Sequence, residues 1–354
     1  MQKNQHGGDI YTNKYRIDFS ANINPLGMPE SVRTAACQGV ALSANYPDVQ
    51  YRELRRAIAG KEKVSEEDII CGNGAAELIF LLASAVKPVR TLLTAPGFAE
   101  YEQALTAAGC QAEFYELREE TGFALQEDYL KRLKEGWDMV FLCNPNNPTG
   151  VTIPPGFLRE ILNICKEENI KVVLDLCFLD FLEEREEADF VRDTSDYPNL
   201  FVLKAFTKTY AMAGLRLGYG ICTDKFLLEK MESITQPWNI SIPAQMAGVA
   251  ALKEKEYVER ARKLVTGQRI WLSGQLKELG LTVYDSRANF LFWKGPAGLT
   301  EKCREQGILL RDCGNYRGLK DVQEQKGYYR VAVRTPEENK ELVNVLKGVL
   351  KWQK

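Results

Sequence analysis

Histidine is nearly absent. His6 is the one copy in 354 residues, which excludes a metal site built from several histidines. No Cys-x-x-Cys pair occurs. The nine cysteines (37, 71, 110, 143, 165, 177, 222, 303 and 313) are scattered, several in apolar runs, so buried reduced thiols are expected. No run nears the roughly eighteen apolar residues that a membrane span needs, and residues 1–6 hold no apolar signal core. The expected compartment is therefore the cytoplasm. An excess of one charge is also missing. Lys and Arg number 46 against 48 Asp and Glu, a net charge of -2. That balance gives no basic field for nucleic acid or anionic lipid, while leaving open an anionic small substrate held by local arginines. Internal repeats and low-complexity segments are absent too.

What is present is alternation. Apolar runs at 68–71, 91–94, 112–117, 139–143, 171–175, 201–203 and 217–222 read as strands. Helical periodicity falls at 49–59, 75–85, 99–108, 125–134 and 154–168. This pattern predicts an α/β fold with a mostly parallel sheet sandwiched by helices, joined to a smaller α+β domain. The expected division is an N-terminal arm over 1–45 belonging to the small domain, a large domain over 46–243, and a linker helix with the small C-terminal domain over 244–354. The arm is polar and turn-rich and is expected to dock on something else. Residues 244–279 read as one long helical stretch with a break near Gly267. The charged insertion over 319–327 reads as a solvated loop.

In such sheets ligands bind outside the carboxyl ends of the strands, and five stretches fall there. Cys71-Gly-Asn-Gly-Ala-Ala-Glu77 joins a strand to a helix whose free N–H groups suit a phosphate, although a tight turn alone reads the same. Phe98, in Pro96-Gly-Phe-Ala-Glu-Tyr101, either stacks on a planar ring or fills the core. Cys143-Asn-Pro-Asn-Asn-Pro-Thr-Gly150 is a rigid loop that can hold the Asn147 amide as a donor. Asp175 ends a buried strand and needs a cation or hydrogen bonds, such as a protonated pyridine nitrogen, or else caps the next element. Lys208 follows the run Phe201–Leu203 and reads either as a solvated loop lysine or, partly desolvated there, as a neutral amine and so a nucleophile. Thr207 and Arg216 flank it as further phosphate ligands.

The stretch from Phe201 to Tyr219 resembles the cofactor-lysine segment of fold-type I pyridoxal-phosphate enzymes. With His6-Gly-Gly-Asp9, Asp18-Phe-Ser-Ala-Asn-Ile-Asn-Pro-Leu-Gly27, Asn45-Tyr-Pro-Asp48, Pro96–Tyr101, Leu310-Arg-Asp-Cys-Gly-Asn-Tyr316 and Tyr328–Arg334, the resemblance covers essentially the whole chain. It is to the histidinol-phosphate aminotransferase branch and, within it, to the threonine-phosphate decarboxylases of cobalamin biosynthesis. The resemblance implies pyridoxal 5'-phosphate bonded to Lys208, with Asp175 on the ring nitrogen, Asn147 on the ring hydroxyl and Phe98 stacked. It implies Gly74, Ala75, Thr207 and Arg216 on the cofactor phosphate, with Tyr46 reaching in from a neighbouring subunit of a homodimer. For the substrate it implies Arg330 on the carboxylate and Arg311 on a phosphate, helped by His6 and Asn22 of the partner chain.

The implied reaction is decarboxylation of L-threonine O-3-phosphate to (R)-1-amino-2-propanol O-2-phosphate. The alternatives are transamination of a phosphorylated substrate and decarboxylation of L-serine O-phosphate to ethanolamine phosphate. A non-catalytic cofactor- or phosphate-binding module would need a DNA-binding appendage or a lost lysine, and the chain has neither. Three positions depart from the aminotransferase pattern. Phe178 stands where those enzymes carry a tyrosine, as in the decarboxylases. Leu176 replaces an acidic neighbour of the aspartate, and Ala205 replaces a hydroxyl residue. Lys320 and Lys326 of the insertion are both candidates for approaching the substrate phosphate.

Overall fold

The computed structural model describes residues 6–319 and 326–351. Its thirteen strands are β1 (Ile17–Asp18), β2 (Ile69–Gly72), β3 (Arg90–Ala95), β4 (Gln111–Glu116), β5 (Met139–Cys143), β6 (Lys171–Asp175), β7 (Leu200–Ala205), β8 (Gly218–Ile221), β9 (Thr282–Val283), β10 (Phe290–Pro296), β11 (Ile308–Leu309), β12 (Arg311–Asp312) and β13 (Lys326–Ala332). Seven of them form one sheet in the order β2-β8-β7-β6-β5-β3-β4. Pairing is parallel from β7 across to β4, whereas β8 runs antiparallel to both of its neighbours. The central strands Met-Val-Phe-Leu-Cys and Lys-Val-Val-Leu-Asp are apolar along nearly their whole length because helices cover both faces. Two apolar cores result, one holding Leu142, Val172 and Val202, the other Phe141, Val173 and Phe201. These alternate residues of the same strands point to opposite faces.

A second sheet, β12-β13-β10-β9, carries its own core around Trp293, Tyr329 and Leu342. The 24-residue helix Lys255–Glu278 packs against this core through Val265, Leu272 and Leu276. The N-terminal segment is built into the same unit. β1 pairs with β11, Phe19 is fully buried there, and the Ala332 N–H donates to the Phe19 carbonyl. No helix among the described residues is long and apolar enough to cross a membrane.

Several expected elements differ. The arm contains a helix, Glu30–Ala41, that starts after Pro29 and packs along the helix Ile242–Ala251. Gly39 permits the close approach, since a Cβ there would come within 2.6 Å of the Pro243 Cα. The arm thus docks on its own chain. Residues 244–279 are not one helix bent at Gly267. They form the helices Ile242–Ala251 and Lys255–Glu278, separated at 252–254. The first packs on the arm and the second on the small sheet, so tertiary contacts set the break. Gly267 faces open space, where a helical glycine costs only about 1 kcal/mol. The helix expected over 125–134 is five residues long, Asp128–Arg132. The turn expected around Lys208 is one helical turn, Phe206–Thr209. Lys320 and most of the 319–327 insertion lie outside the described residues.

Candidate functional site

The carboxyl ends of β2, β3, β5, β6 and β7 meet at one edge of the large sheet. Because β8 is antiparallel, its first residue Gly218 and the preceding Arg216 arrive at the same edge. A cavity of about 710 Å³ opens there, closed on its far side by β12, β13 and the N-terminal segment. Its lining includes Ala75, Phe98, Asn147, Asp175, Thr207, Lys208 and Arg216 from the large sheet, and His6, Asn22, Arg311 and Arg330 from the small unit. Gly74 lies directly behind Arg216.

Lys208 sits on the helical turn after β7. Burial and then the neighbouring Arg330 guanidinium bring its ammonium down to about 8. Desolvation works against the charged form, as expected for an amine at the end of a buried strand. The lowered value makes the neutral amine accessible near neutral pH.

Asp175 ends β6 and is only 6% exposed. Tyr101 Oη donates to its Oδ2 at 2.6 Å and the Cys177 N–H donates to its Oδ1 at 2.9 Å. Burial nonetheless pushes its carboxyl up, those hydrogen bonds opposing. Among the described residues no Lys, Arg or His forms an ion pair with it. A buried carboxylate so placed calls for a cation from a ligand.

Arg330, on β13, donates to Asn147 Oδ1 and to the Ser20 carbonyl at 2.9 Å. With Oδ1 taken, the Asn147 NH2 is the donor left for a ligand. Arg330 Nε is buried without a partner.

An anion cradle lies at the start of the helix Gly74–Val86. Its N-cap Asn73 makes no side-chain cap bond, since its amide is turned to the Asn239 carbonyl. The first-turn N–H groups therefore have no side-chain cap, and Ala75 and Ala76 of that turn line the cavity. Gly74 takes φ +78°, and a Cβ on it would meet Arg216 Nη2 at 2.4 Å. A Cβ on Gly218 would meet the Ala75 nitrogen at 2.6 Å. Glycine is what lets the helix start, the arginine and β8 converge.

At the opposite end stand Arg311, Asn22 and His6. Arg311 is fixed by Asn315 Oδ1 at 2.9 Å and lies 5.2 Å from the Tyr316 ring. Asn22 is buried with its Oδ1 unpartnered. His6 Nδ1 is 3.2 Å from Glu100 Oε1. His6 and Asn22 thus line the cavity of their own chain, not that of a partner as expected, because β1 and the turn after it anchor the segment to the small sheet.

Tyr46 lines nothing here. It is 77% exposed and stacks on Trp238 at 4.4 Å. Phe178 lines the cavity and packs edge-on against Phe290. Ala205 is also at the wall, while Leu176 belongs to the apolar core beneath the sheet, where a carboxylate would be unsolvated. Sequence reasoning missed Tyr101, Glu100, Asn315 and Tyr316. The signal for the first two was helical spacing, because Glu100 and Tyr101 follow Phe98 at a helix start facing the strand ends.

Together these groups fit a phosphorylated pyridine aldehyde: a buried amine, an unpaired carboxylate for a ring nitrogen, an amide donor, an aromatic face at Phe98 and an anion cradle. They leave a second cationic end for a substrate.

The sequence profile of the family "Aminotransferase class I and II" matches residues 15–346. A threonine-phosphate decarboxylase of Salmonella typhimurium is 38% identical over 338 residues, 94% of this chain and 91% of that protein. The crystal structure of the histidinol-phosphate aminotransferase from Clostridium acetobutylicum superposes with a TM-score of 0.87 at 31% identity, covering 95% of this chain and 99% of that one. That of L-threonine-O-3-phosphate decarboxylase from Porphyromonas gingivalis gives 0.81 at 24% identity, covering 94% and 99%.

Proposed function

The chain belongs to the class I and II aminotransferase family, and from that premise we propose that it is a pyridoxal-phosphate-dependent carboxy-lyase. Its substrate is L-threonine O-3-phosphate, and the product feeds cobalamin biosynthesis. The observation that carries this reading is one cavity holding both a buried, easily deprotonated Lys208 and a separate cationic end at Arg311, with Arg330 between sheet and arm.

When bound, pyridoxal phosphate supplies a protonated ring that accepts the electron pair left when a bond at the substrate's α-carbon breaks. Asp175, held by Tyr101 and Cys177, would keep that ring nitrogen charged. Asn147 would donate to the ring hydroxyl and Phe98 would offer an aromatic face to the ring. Gly74, Ala75, Thr207 and Arg216 hold the cofactor phosphate. Arg330 binds the substrate carboxylate, while Arg311, His6 and Asn22 bind the substrate phosphate. Anchoring a substrate at both ends would fix the torsion about its α-carbon and so decide which of its bonds is set to break. Loss of the substrate carboxylate as CO2 is the outcome this placement would favour. Lys208, with its proton affinity near neutrality, is placed to return a proton to the α-carbon. Remote phosphate binding supplies orientation to the reacting carbon.

The enzyme acts as a cytoplasmic homodimer in which Tyr46 reaches the partner's cofactor phosphate. Support comes from its exposure, stacked on the half-exposed Trp238, and from the exposed apolar Val40, Leu42 and Val49 close to it in sequence.

The test supplies L-threonine O-3-phosphate to the holoenzyme without any keto acid. One CO2 and one 1-amino-2-propanol phosphate per substrate are expected. Transfer of the amino group that needs a keto acid and releases no CO2 would instead make it a transaminase. L-serine O-phosphate, run alongside, reports the role of the extra methyl, worth about 1–3 kcal/mol.

A further inference from the structure

Glu100 has no part in the reaction above, yet it stands inside the cavity. It lies in the first turn of the helix Ala99–Ala107, with its side chain 14% exposed. Oε1 meets His6 Nδ1 at 3.2 Å, and Oε2 is buried with no hydrogen-bond partner among the described residues. The ionisable groups facing it are His6 from the N-terminal segment, Arg311 from β12 and Lys208 from the turn after β7. Burial holds its carboxyl above the usual range, His6 opposing. Two of these groups, Arg311 and His6, are those that would receive the substrate phosphate. As a carboxylate, Glu100 balances the charge of these cations while the cavity is empty. Once a phosphate dianion arrives, the same charge becomes a like-charge neighbour in a desolvated place, which disfavours ionisation. As a neutral acid it becomes an O–H donor on a side chain of the cavity lining.

Resting on the phosphate-binding reading, we propose that Glu100 is a proton-coupled specificity residue. It is a carboxylate on His6 in the free enzyme, takes one proton from solvent as the substrate phosphate enters, and donates that O–H to a phosphate oxygen. An unphosphorylated amino acid brings no such charge and leaves Glu100 ionised.

The experiment titrates the holoenzyme with 1-amino-2-propanol O-2-phosphate, which has no carboxylate to lose, and with unphosphorylated 1-amino-2-propanol. Calorimetry at pH 7.5 to 8.5 in buffers of differing ionisation heat counts protons. The phosphate, with a second pKa of about 6, is then already a dianion. Wild type is expected to take up close to one proton per phosphorylated ligand, its Kd weakening by up to about tenfold per pH unit. Glu100→Gln should lose the uptake and bind with a flat pH profile. Uptake that persists in Glu100→Gln overturns the proposal, because the proton then sits on another group. Infrared difference spectra of wild type give an independent reading. A protonated-carboxyl band should appear on binding, and its absence also overturns the proposal. Failure of the underlying phosphate reading looks different: neither protein would prefer the phosphorylated amine.

Discussion

Lys208 is an amine that the fold has made unlike other lysines. Burial, reinforced by Arg330, brings it to about 8. Cofactor uptake by the apo protein requires the neutral amine, so the rate of uptake should rise with pH through about 8 and level off above it. Stopped-flow absorbance on mixing apo protein with pyridoxal phosphate measures this, and a flat profile would contradict it. Tyr101 is a positioning residue that acts through Asp175. Tyr101→Phe removes one of two donors to a buried carboxylate, a loss of about 1–3 kcal/mol to the charged form. The pH midpoint of the bound cofactor's spectrum should shift while cofactor stoichiometry stays whole. An unmoved midpoint would mean that Tyr101 only fills space.

At the level of elements, glycine decides two contacts. Gly74→Ala combines a positive φ with a Cβ 2.4 Å from Arg216, so cofactor affinity should fall well before the fold does. The αL penalty alone is about 1–2 kcal/mol. Equilibrium dialysis against pyridoxal phosphate checks it. Gly39→Ala should separate the helices Glu30–Ala41 and Ile242–Ala251 and cost about 1–3 kcal/mol in denaturant unfolding, without touching the cavity.

The elements also show what the sequence made legible. β5 and β6 coincide with the expected strands because fully buried parallel strands are continuous apolar runs. The loop residues at their ends were readable because glycine, proline and asparagine advertise backbone geometry. Glu30–Ala41 was not, since its apolar face is weak and is completed by a helix some two hundred residues later. Nor was Glu100, whose carboxylate looks solvated until Arg311 and His6 are brought over it. That His6 and Asn22 lie in their own chain's cavity depends on β1 pairing with β11, a contact of two residues that no local pattern signals.

Across the whole molecule, the large and small units are joined by Glu119. It follows β4 and accepts hydrogen bonds from Tyr284, Tyr328 and Lys294 of the small sheet. Burial acts to raise its carboxyl, but the bonds from Tyr284 and Tyr328 outweigh it and hold it below the usual range. A depressed carboxylate gives stability that is present above the unfolded value and lost as pH falls through the folded one. Glu119→Gln should therefore lower stability at neutral pH by about 1–2 kcal/mol, discounted because the group stays partly in water. The deficit relative to wild type should shrink below about pH 4. Thermal unfolding across pH 3 to 7 checks both.

Every role assigned in the cavity depends on pyridoxal phosphate being joined to one particular amine. The direct measurement is borohydride reduction of the holoenzyme followed by peptide mass mapping. A single phosphopyridoxyl label on Lys208 is predicted, lost in Lys208→Ala. A label on another lysine, or none on a folded and cofactor-saturated protein, would contradict the account.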